Sequence, residues 1–178
     1  MGSIIKVNEY KDFGNNAIMT SDGAGTLTLN NSALKATPAF AVYSDGDQTL
    51  TENAYTKIEW DNEAFDSDGA FASNRFTVPV NGAGKYMFAA QVFIDCNAAD
   101  HFYYGVTRYY VNGSSITNGM AALNMATGYG AAATVNATNG LDLSDGDYVE
   151  IYAYIDDIVD TSVKAVYSSF TGFKVIGA

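Results

Sequence analysis

"NRFTVPVNGAGKYMFAAQVFID" runs from Asn74 to Asp95, and its reading decides the fold. A short apolar run and a proline lead into an Asn-Gly-Ala-Gly turn, then a long alternating run. Tyr86, Phe88, Ala90, Val92 and Ile94 share one side of that run, because successive strand residues point to opposite faces. Phe76 is expected to anchor a strand in the core, Pro79 to end its pairing, and Asn81–Gly84 to reverse the chain. Nothing in the stretch suits catalysis. It is specified by architecture.

The same pattern recurs along the chain. Alternating runs at Ala39–Tyr43, Tyr55–Trp60, Arg75–Val80, Lys85–Ile94, Phe102–Val111, Asp147–Ile155 and Ser162–Ile176 lie between turn residues. They predict an antiparallel sandwich or jelly roll. With 178 residues, 48% of them hydrophobic, the chain can build one sizeable core. Gly119–Gly140 is rich in Ala and Gly, which suggests close approach of another backbone or sheet. Residues 1–36 hold only short apolar pieces, Ile4-Ile5, Ala17-Ile18 and Leu27–Leu29, and read as an extended arm too small for its own core. The expected division is an anchoring arm, 1–36, and a head, 37–178.

Charge divides the chain at the same place. The arm balances Glu9, Asp12 and Asp22 against Lys6, Lys11 and Lys35, so the head carries the whole net charge of −11. An acidic head repels phosphate backbones, and nucleic acid is not an expected partner. No stretch is apolar enough to predict a membrane span, and "MGSIIKVNEYKDFGNN" lacks the form of a secretory signal. Synthesis in a cytoplasm is the expectation. With Cys96 alone, no disulfide framework is expected.

Two strands have both faces apolar or aromatic. In Asp147–Ile155, Val149, Ile151, Ala153 and Ile155 form a core face, opposite Tyr148, Glu150, Tyr152 and Tyr154. In Phe102–Val111, Phe102, Tyr104, Val106 and Tyr110 oppose Tyr103 and Tyr109. A row of solvent-facing tyrosines suggests contact between copies. Tyr103, Tyr109, Tyr148, Tyr152 and Tyr154 are the expected interface residues.

Enzyme chemistry finds little footing. His101, near Asp95, Cys96 and Asp100, matches no zinc or Cys–His protease spacing, and an ordinary loop is the preferred reading. Asp66-Ser67-Asp68-Gly69 starts like a calcium loop but lacks the later oxygen ligands and closing Glu. The acidic turns Asp45-Gly46-Asp47 and Asp145-Gly146-Asp147 are expected from Asp bonding its own backbone, and calcium stays a secondary reading. Asp156-Asp157 reads as a solvent-facing turn rather than an acid–base pair. No catalytic residue, cofactor or metal ligand is assigned.

The aromatic spacing carries a resemblance. Phe71, then Phe76-Thr77-Val78-Pro79-Val80, then Gly84-Lys85-Tyr86-Met87-Phe88 resembles the signature of the complement C1q-like, tumour-necrosis-factor-like jelly-roll family. "TPAFAVY" (Thr37–Tyr43), "LDLSDGDYVEIYA" (Leu141–Ala153, with Gly146) and "SSFTGFKVI" (Ser168–Ile176, with Phe170, Gly172 and Phe173) are similar to its opening, Gly-Asp-bearing and closing strands. "NGAGK" (Asn81–Lys85) is two residues longer than the family's turn. The resemblance implies a ten-stranded jelly roll, a compact homotrimer with its tyrosine-rich faces about the three-fold axis, and no enzymatic activity.

"SIIKVNEYKDFGNNAIMTSDGAGTLTL" (Ser3–Leu29) is similar to leader segments of bacteriophage fibre and knob proteins, which often precede C1q-like heads. The implied protein is a structural virion appendage: a tail fibre, head fibre, knob or capsid decoration. It would be assembled in the host cytoplasm and displayed on the virion surface. Its arm would join capsid or tail proteins and its head would bind a host glycan or protein. The contact loops are expected at the end far from the arm: Asn97–Asp100, Gly113–Asn118 (with Ser114) and Asp156–Asp160 (with Asp157). A bacterial surface or spore-coat ligand-binding module is the alternative.

Overall fold

The computed structural model describes residues 7–29, 37–44, 46–96, 102–125, 130–156, 162–163 and 167–175. Asp carboxylates shape the first of these segments. Asp12 accepts hydrogen bonds from the Asn16 backbone N (2.8 Å) and side-chain amide, and Asp22 accepts from the backbone N of Ala24 (2.7 Å) and Thr26 (3.0 Å). The two closed loops join β1 (Glu9–Lys11), β2 (Ala17–Ser21) and β3 (Leu27–Leu29) into a three-stranded antiparallel sheet. The expected extended arm is therefore a meander over these residues, while Ile4, Ile5 and Lys35 lie outside the described residues. Tyr10, Met19 and Leu29 stand side by side across the three strands, with Leu27 two pairs along. Tyr10, Leu27 and Leu29 are exposed. Three short strands with so small an apolar face do not hold together unaided.

The head is an antiparallel sandwich. One sheet runs β13 (Ala132–Leu143), β10 (Gly84–Asp95), β16 (Ser169–Lys174), β4 (Ala39–Tyr43), β7 (Asn62–Asp66), with β15 (Ser162–Val163) and β5 (Gln48–Thr49) extending it beside the end of β10. The other runs β12 (Ser114–Asn124), β11 (Tyr104–Val111), β14 (Tyr148–Asp156), β9 (Arg75–Thr77), β8 (Phe71–Ala72), with β6 (Thr56–Lys57) also on β14. The head thus has thirteen strand segments among the described residues rather than ten, four of them only two residues long.

Alternation fills the space between the sheets. Tyr86, Phe88, Ala90, Val92 and Ile94 of β10 are all buried, as are Val149, Ile151, Ala153 and Ile155 of β14. Phe40 lies at the centre, its ring 5.0 Å from Phe71, 5.1 Å from Phe76 and 4.9 Å from Phe170. Phe88 and Phe40 need Gly172 beside them. A Cβ there would lie 2.3 Å from Phe88 Cδ1 and 2.8 Å from Phe40 Cε1, so only glycine lets these rings meet the strand.

Three sequence expectations change. Tyr55–Trp60 contributes only Thr56–Lys57 as strand. Beyond it the backbone N of Glu59 donates to Gln48 Oε1 and that of Trp60 to Asn74 Oδ1, so side-chain amides replace the ladder. Gly119–Gly140 supplies the end of β12 and most of β13, which pairs with β10 along all twelve of its residues. Gly113–Asn118 is not a loop. Asn112 (φ 52°) and Gly113 (φ 76°) form the two-residue turn of a hairpin, placing Ser114 and Asn118 in β12.

The turn of the opening stretch is held from a distance. Asn81 N and Ala83 N donate to the Asp145 carboxylate at 2.8 and 2.7 Å, and the buried Tyr86 hydroxyl donates to Gly82 O at 2.6 Å. Asp147 accepts from Ser144 N and the Asn112 amide, both at 2.8 Å. Backbone N–H donors hold the Asp145 carboxyl below its ordinary value of 3.8. A depressed folded-state value contributes stability above the unfolded value, and that contribution is lost as pH falls through the folded one. Asp145→Asn should therefore melt below the wild type at pH 7, with the gap narrowing once pH drops below about 4. Thermal melts from pH 7 to pH 2 check this, and a gap unchanged at pH 2 would contradict it.

Candidate functional site

The residues singled out for chemistry serve the fold. Cys96 is fully buried, its backbone N donating to Ala131 O, while Asn97, Asp100 and His101 lie outside the described residues. The acidic turns hold backbone: besides Asp145 and Asp147, Asp66 accepts from Phe71 N at 2.8 Å. Among the described residues no three His, Cys, Asp or Glu side chains gather to hold a metal ion.

The proposed contact loops do not share one end. The chain enters the head at Pro38, whose carbonyl accepts from Lys174 N, and Ala39 pairs with Phe173, which pairs with Met87. Gly84, Leu143, Asp145–Asp147 and Asn112–Gly113 therefore lie at the arm-proximal end. Ser114 belongs to this end and Asn118 lies along β12, both exposed, so neither is part of a far-end cluster. Asp156, exposed at the end of β14, is at the far end; Asp157 and Asp160 lie outside the described residues.

The signature residues divide. Phe76, Tyr86, Phe88 and Phe170 are buried, while Gly84 (φ 145°) and Gly146 (φ 84°) occupy left-handed backbone at turns. Pro79 stands between β9 and β10, where its carbonyl accepts from Gly82 N. Phe173 points outward and is 54% exposed.

The tyrosines named as interface divide too. Tyr109 is an inward residue with no exposed surface, its hydroxyl donating to Ala137 O at 2.9 Å. Burial pushes that hydroxyl's pKa up. It cannot meet a partner, because Gly105, Thr107 and Tyr109 form the core-facing parity of β11. The outward parity is Tyr104, Val106, Arg108 and Tyr110. Tyr103 precedes the strand and is exposed, whereas Tyr148, Tyr152 and Tyr154 lie half-buried on the outer face of β14.

That outer face is an aromatic platform. Register sets Met120, Arg108, Tyr152 and Lys57 in one row, with Ala122, Val106 and Tyr154 on one side and Ser115, Tyr110 and Glu150 on the other. Ring centroids are 4.0 Å apart for Tyr110–Tyr152, 5.3 Å for Tyr55–Tyr154, and 6.1 Å for both Tyr55–Tyr110 and Tyr104–Tyr154. Arg108 lies over Tyr55 at 5.6 Å, and Arg75 over Tyr148 at 4.4 Å. At the edge, Lys57 Nζ donates to Glu150 Oε1 at 2.6 Å and to Ser73 O at 3.0 Å. Desolvation raises the pKa of Tyr110, Tyr152 and Tyr154, so their hydroxyls stay protonated near neutral pH.

The outer face of the other sheet differs. Its middle row is Phe65, Ala41, Thr171, Ala89 and Thr138; one neighbouring row is Ala39, Phe173, Met87 and Gly140, and the other is Asn62, Tyr43, Ser169, Gln91 and Asn136. These three rows carry no charge, in a chain of net charge −11. Tyr43, Phe65, Met87 and Phe173 are each 41–54% exposed on it. A groove of about 380 Å³ opens where Gly140 leaves room beside Met87 and Val175. Sequence reading missed this face because its rows gather residues from five strands.

No family model matches the chain, and no curated protein does. Solved structures do. The globular domain of zebrafish complement 1qA protein is similar at TM-score 0.56 and 16% identity, covering 78% of this chain and 97% of that one. The fold is C1q/TNF-like. Murine APRIL at pH 5.0 is similar at TM-score 0.57 and 11% identity, covering 78% of this chain and 99% of that one. The strand pairings behind that likeness are β4-β16-β10-β13 against β9-β14-β11-β12.

Proposed function

We propose that the chain is a structural virion appendage of a bacteriophage, a fibre, knob or capsid decoration, whose trimeric C1q-like head is displayed outward for host-surface binding. The observation that carries this reading is the N-terminal sheet: among the described residues its strands pair only with one another, and its apolar residues Tyr10, Leu27 and Leu29 stay exposed. A sheet of that size needs a partner, as an anchor on a larger particle would have. Its sequence resembles phage leader segments. C1q/TNF-like folds are typically non-enzymatic binding domains and commonly trimerise.

Within that reading, copies meet through the uncharged sheet face rather than the tyrosines. Heads of charge −11 repel one another, so the surface they share must carry little charge and offer apolar anchors. Tyr43, Phe65, Met87 and Phe173 supply those anchors. Imaging of virions with a tag on this chain tests the assignment, with the tag expected at regular sites on capsid or tail. A chain absent from purified virions and found in a bacterial envelope or spore coat would overturn it. Sedimentation of the purified protein should give a particle of three times the 19.0 kDa chain mass.

A further inference from the structure

We propose that the tyrosine platform around Arg108 is a binding surface for an acidic saccharide, its carboxylate held by the Arg108 guanidinium and its sugar rings laid on Tyr55, Tyr110, Tyr152 and Tyr154. This inference rests on the display reading above and names the ligand class of the displayed head.

Arg108 is the first observation. It stands in the middle row of the outer face, cross-paired with Tyr152 and Met120, not at a rim. In a chain with 20 acidic and 9 basic side chains, a carboxylate partner would be the ordinary expectation. Among the described residues, however, the ion pairs are Lys11–Glu9 and Lys57–Glu150, and Arg108 has none. Its Nη1 reaches only the Tyr55 hydroxyl, at 3.4 Å, and its Nε is buried without a hydrogen-bond partner. A guanidinium fork presents paired N–H donors that match a carboxylate. The nearest carboxylate in the pairing, Glu150, is neutralised by Lys57. Asp156 and Glu52 act on the Tyr154 end of the platform, Asp156 standing two rows from Arg108, so the ligand's carboxylate belongs at the Arg108 end and a neutral ring face at Tyr154.

The rings are the second observation. They already pack on one another at 4.0 to 6.1 Å, so little ordering remains to be done on binding. Each offers an apolar ring with a hydroxyl at its tip. A protein partner would anchor by inserting side chains into pockets. A saccharide instead lays the C–H face of a pyranose on an aromatic face and takes hydrogen bonds from hydroxyls around it. The packed tyrosines match the second mode. Asn53 Oδ1, which accepts from the Tyr154 hydroxyl at 3.0 Å, adds an amide at the edge.

The test is titration calorimetry of the full chain with a galacturonic acid hexamer, a neutral maltohexaose and a glutamate hexapeptide. The expected result is binding of the acidic hexasaccharide, at least tenfold weaker binding of the neutral one, and none of the peptide. Arg108→Ala should weaken the acidic ligand at least tenfold and leave the neutral one unchanged. Arg108→Lys, which keeps the charge and removes the fork, should fall between. Tyr110→Ala should weaken both saccharides, and melting curves establish that each variant is folded. Failure of all three probes to bind, equal binding of both saccharides, preference for the peptide, or an Arg108→Ala variant that binds the acidic hexamer unchanged would each overturn the proposal. The display reading fails separately, by absence from virions, an outcome the titration does not touch.

Discussion

Phe40→Ala will bring the head close to unfolding. Phe40 has no exposed surface and joins both sheets: Phe71 and Phe76 come from β8 and β9, Phe170 from β16, and all three rings lie within 5.1 Å of it. Removing the phenyl takes away its burial and leaves a cavity that rigid neighbouring rings cannot collapse into. Large-to-small changes of this kind cost about 3–5 kcal/mol. A domain of ordinary stability holds about 5–15 kcal/mol, so from about a fifth to all of it is at stake. Phe65→Ala is the control, because Phe65 is 52% exposed on an outer face and should cost under about 1 kcal/mol in the isolated chain. Urea titrations of both variants, run at concentrations that keep the chain monomeric, measure the difference. Equal midpoints would show that Phe40 is not the keystone its contacts imply.

The part of the fold that was legible in the sequence is the part where side chains are large and alternate. Phe76, Tyr86, Phe88 and Phe170 sit where their spacing places them, and all are buried. The strands that escaped notice are of another kind. β13 reads "AATVNATNGLDL", where Ala, Thr and Asn weaken the contrast between faces, although Val135, Ala137 and Leu143 are buried. Small side chains fit there because side chains of β11 reach the β13 backbone, Thr107 Oγ1 donating to Val135 O and the Tyr109 hydroxyl to Ala137 O. Asn112-Gly113 was a readable hairpin signal, and heeding it assigns Ser114 and Asn118 to a strand. Ser73 (φ 53°) and Asn74 (φ 58°) turn β8 into β9 in the same way.

The surfaces were legible only in halves. Alternation in β14 places Tyr148, Tyr152 and Tyr154 outward without any structure. It does not say that Tyr152 leans on Tyr110, or Tyr154 on Tyr55 and Tyr104, since those contacts cross from β14 to β11 and to the Tyr55 segment. Tyr109 shows the limit from the other side. Both parities of β11 carry tyrosine, and only the packing decides that Tyr109 is core. The uncharged face is a property of strand order alone. Phe65, Ala41, Thr171, Ala89 and Thr138 become one row only once β7, β4, β16, β10 and β13 are set side by side.

That face is the place to separate copies without unfolding them. Ala89→Glu combined with Phe173→Glu should convert the proposed trimer to 19.0 kDa monomers at micromolar concentration. Both positions point outward, so an isolated head keeps its core. In an interface, the same changes bury two carboxylates per chain among Thr138, Thr171 and Met87, with no cation in the three rows to answer them. Leaving a buried charge unpaired costs about 3 kcal/mol or more, which weakens each contact by over a hundredfold. Repulsion between heads that already carry −11 adds to that. Tyr152→Lys with Tyr154→Lys is the opposing experiment, since it charges the tyrosine platform and leaves the uncharged face alone. With the copies joined through the β4-β16-β10-β13 face, the lysine pair sediments as the wild type and the glutamate pair does not. The reverse result would put the three-fold axis at the tyrosines and take the saccharide platform out of solvent.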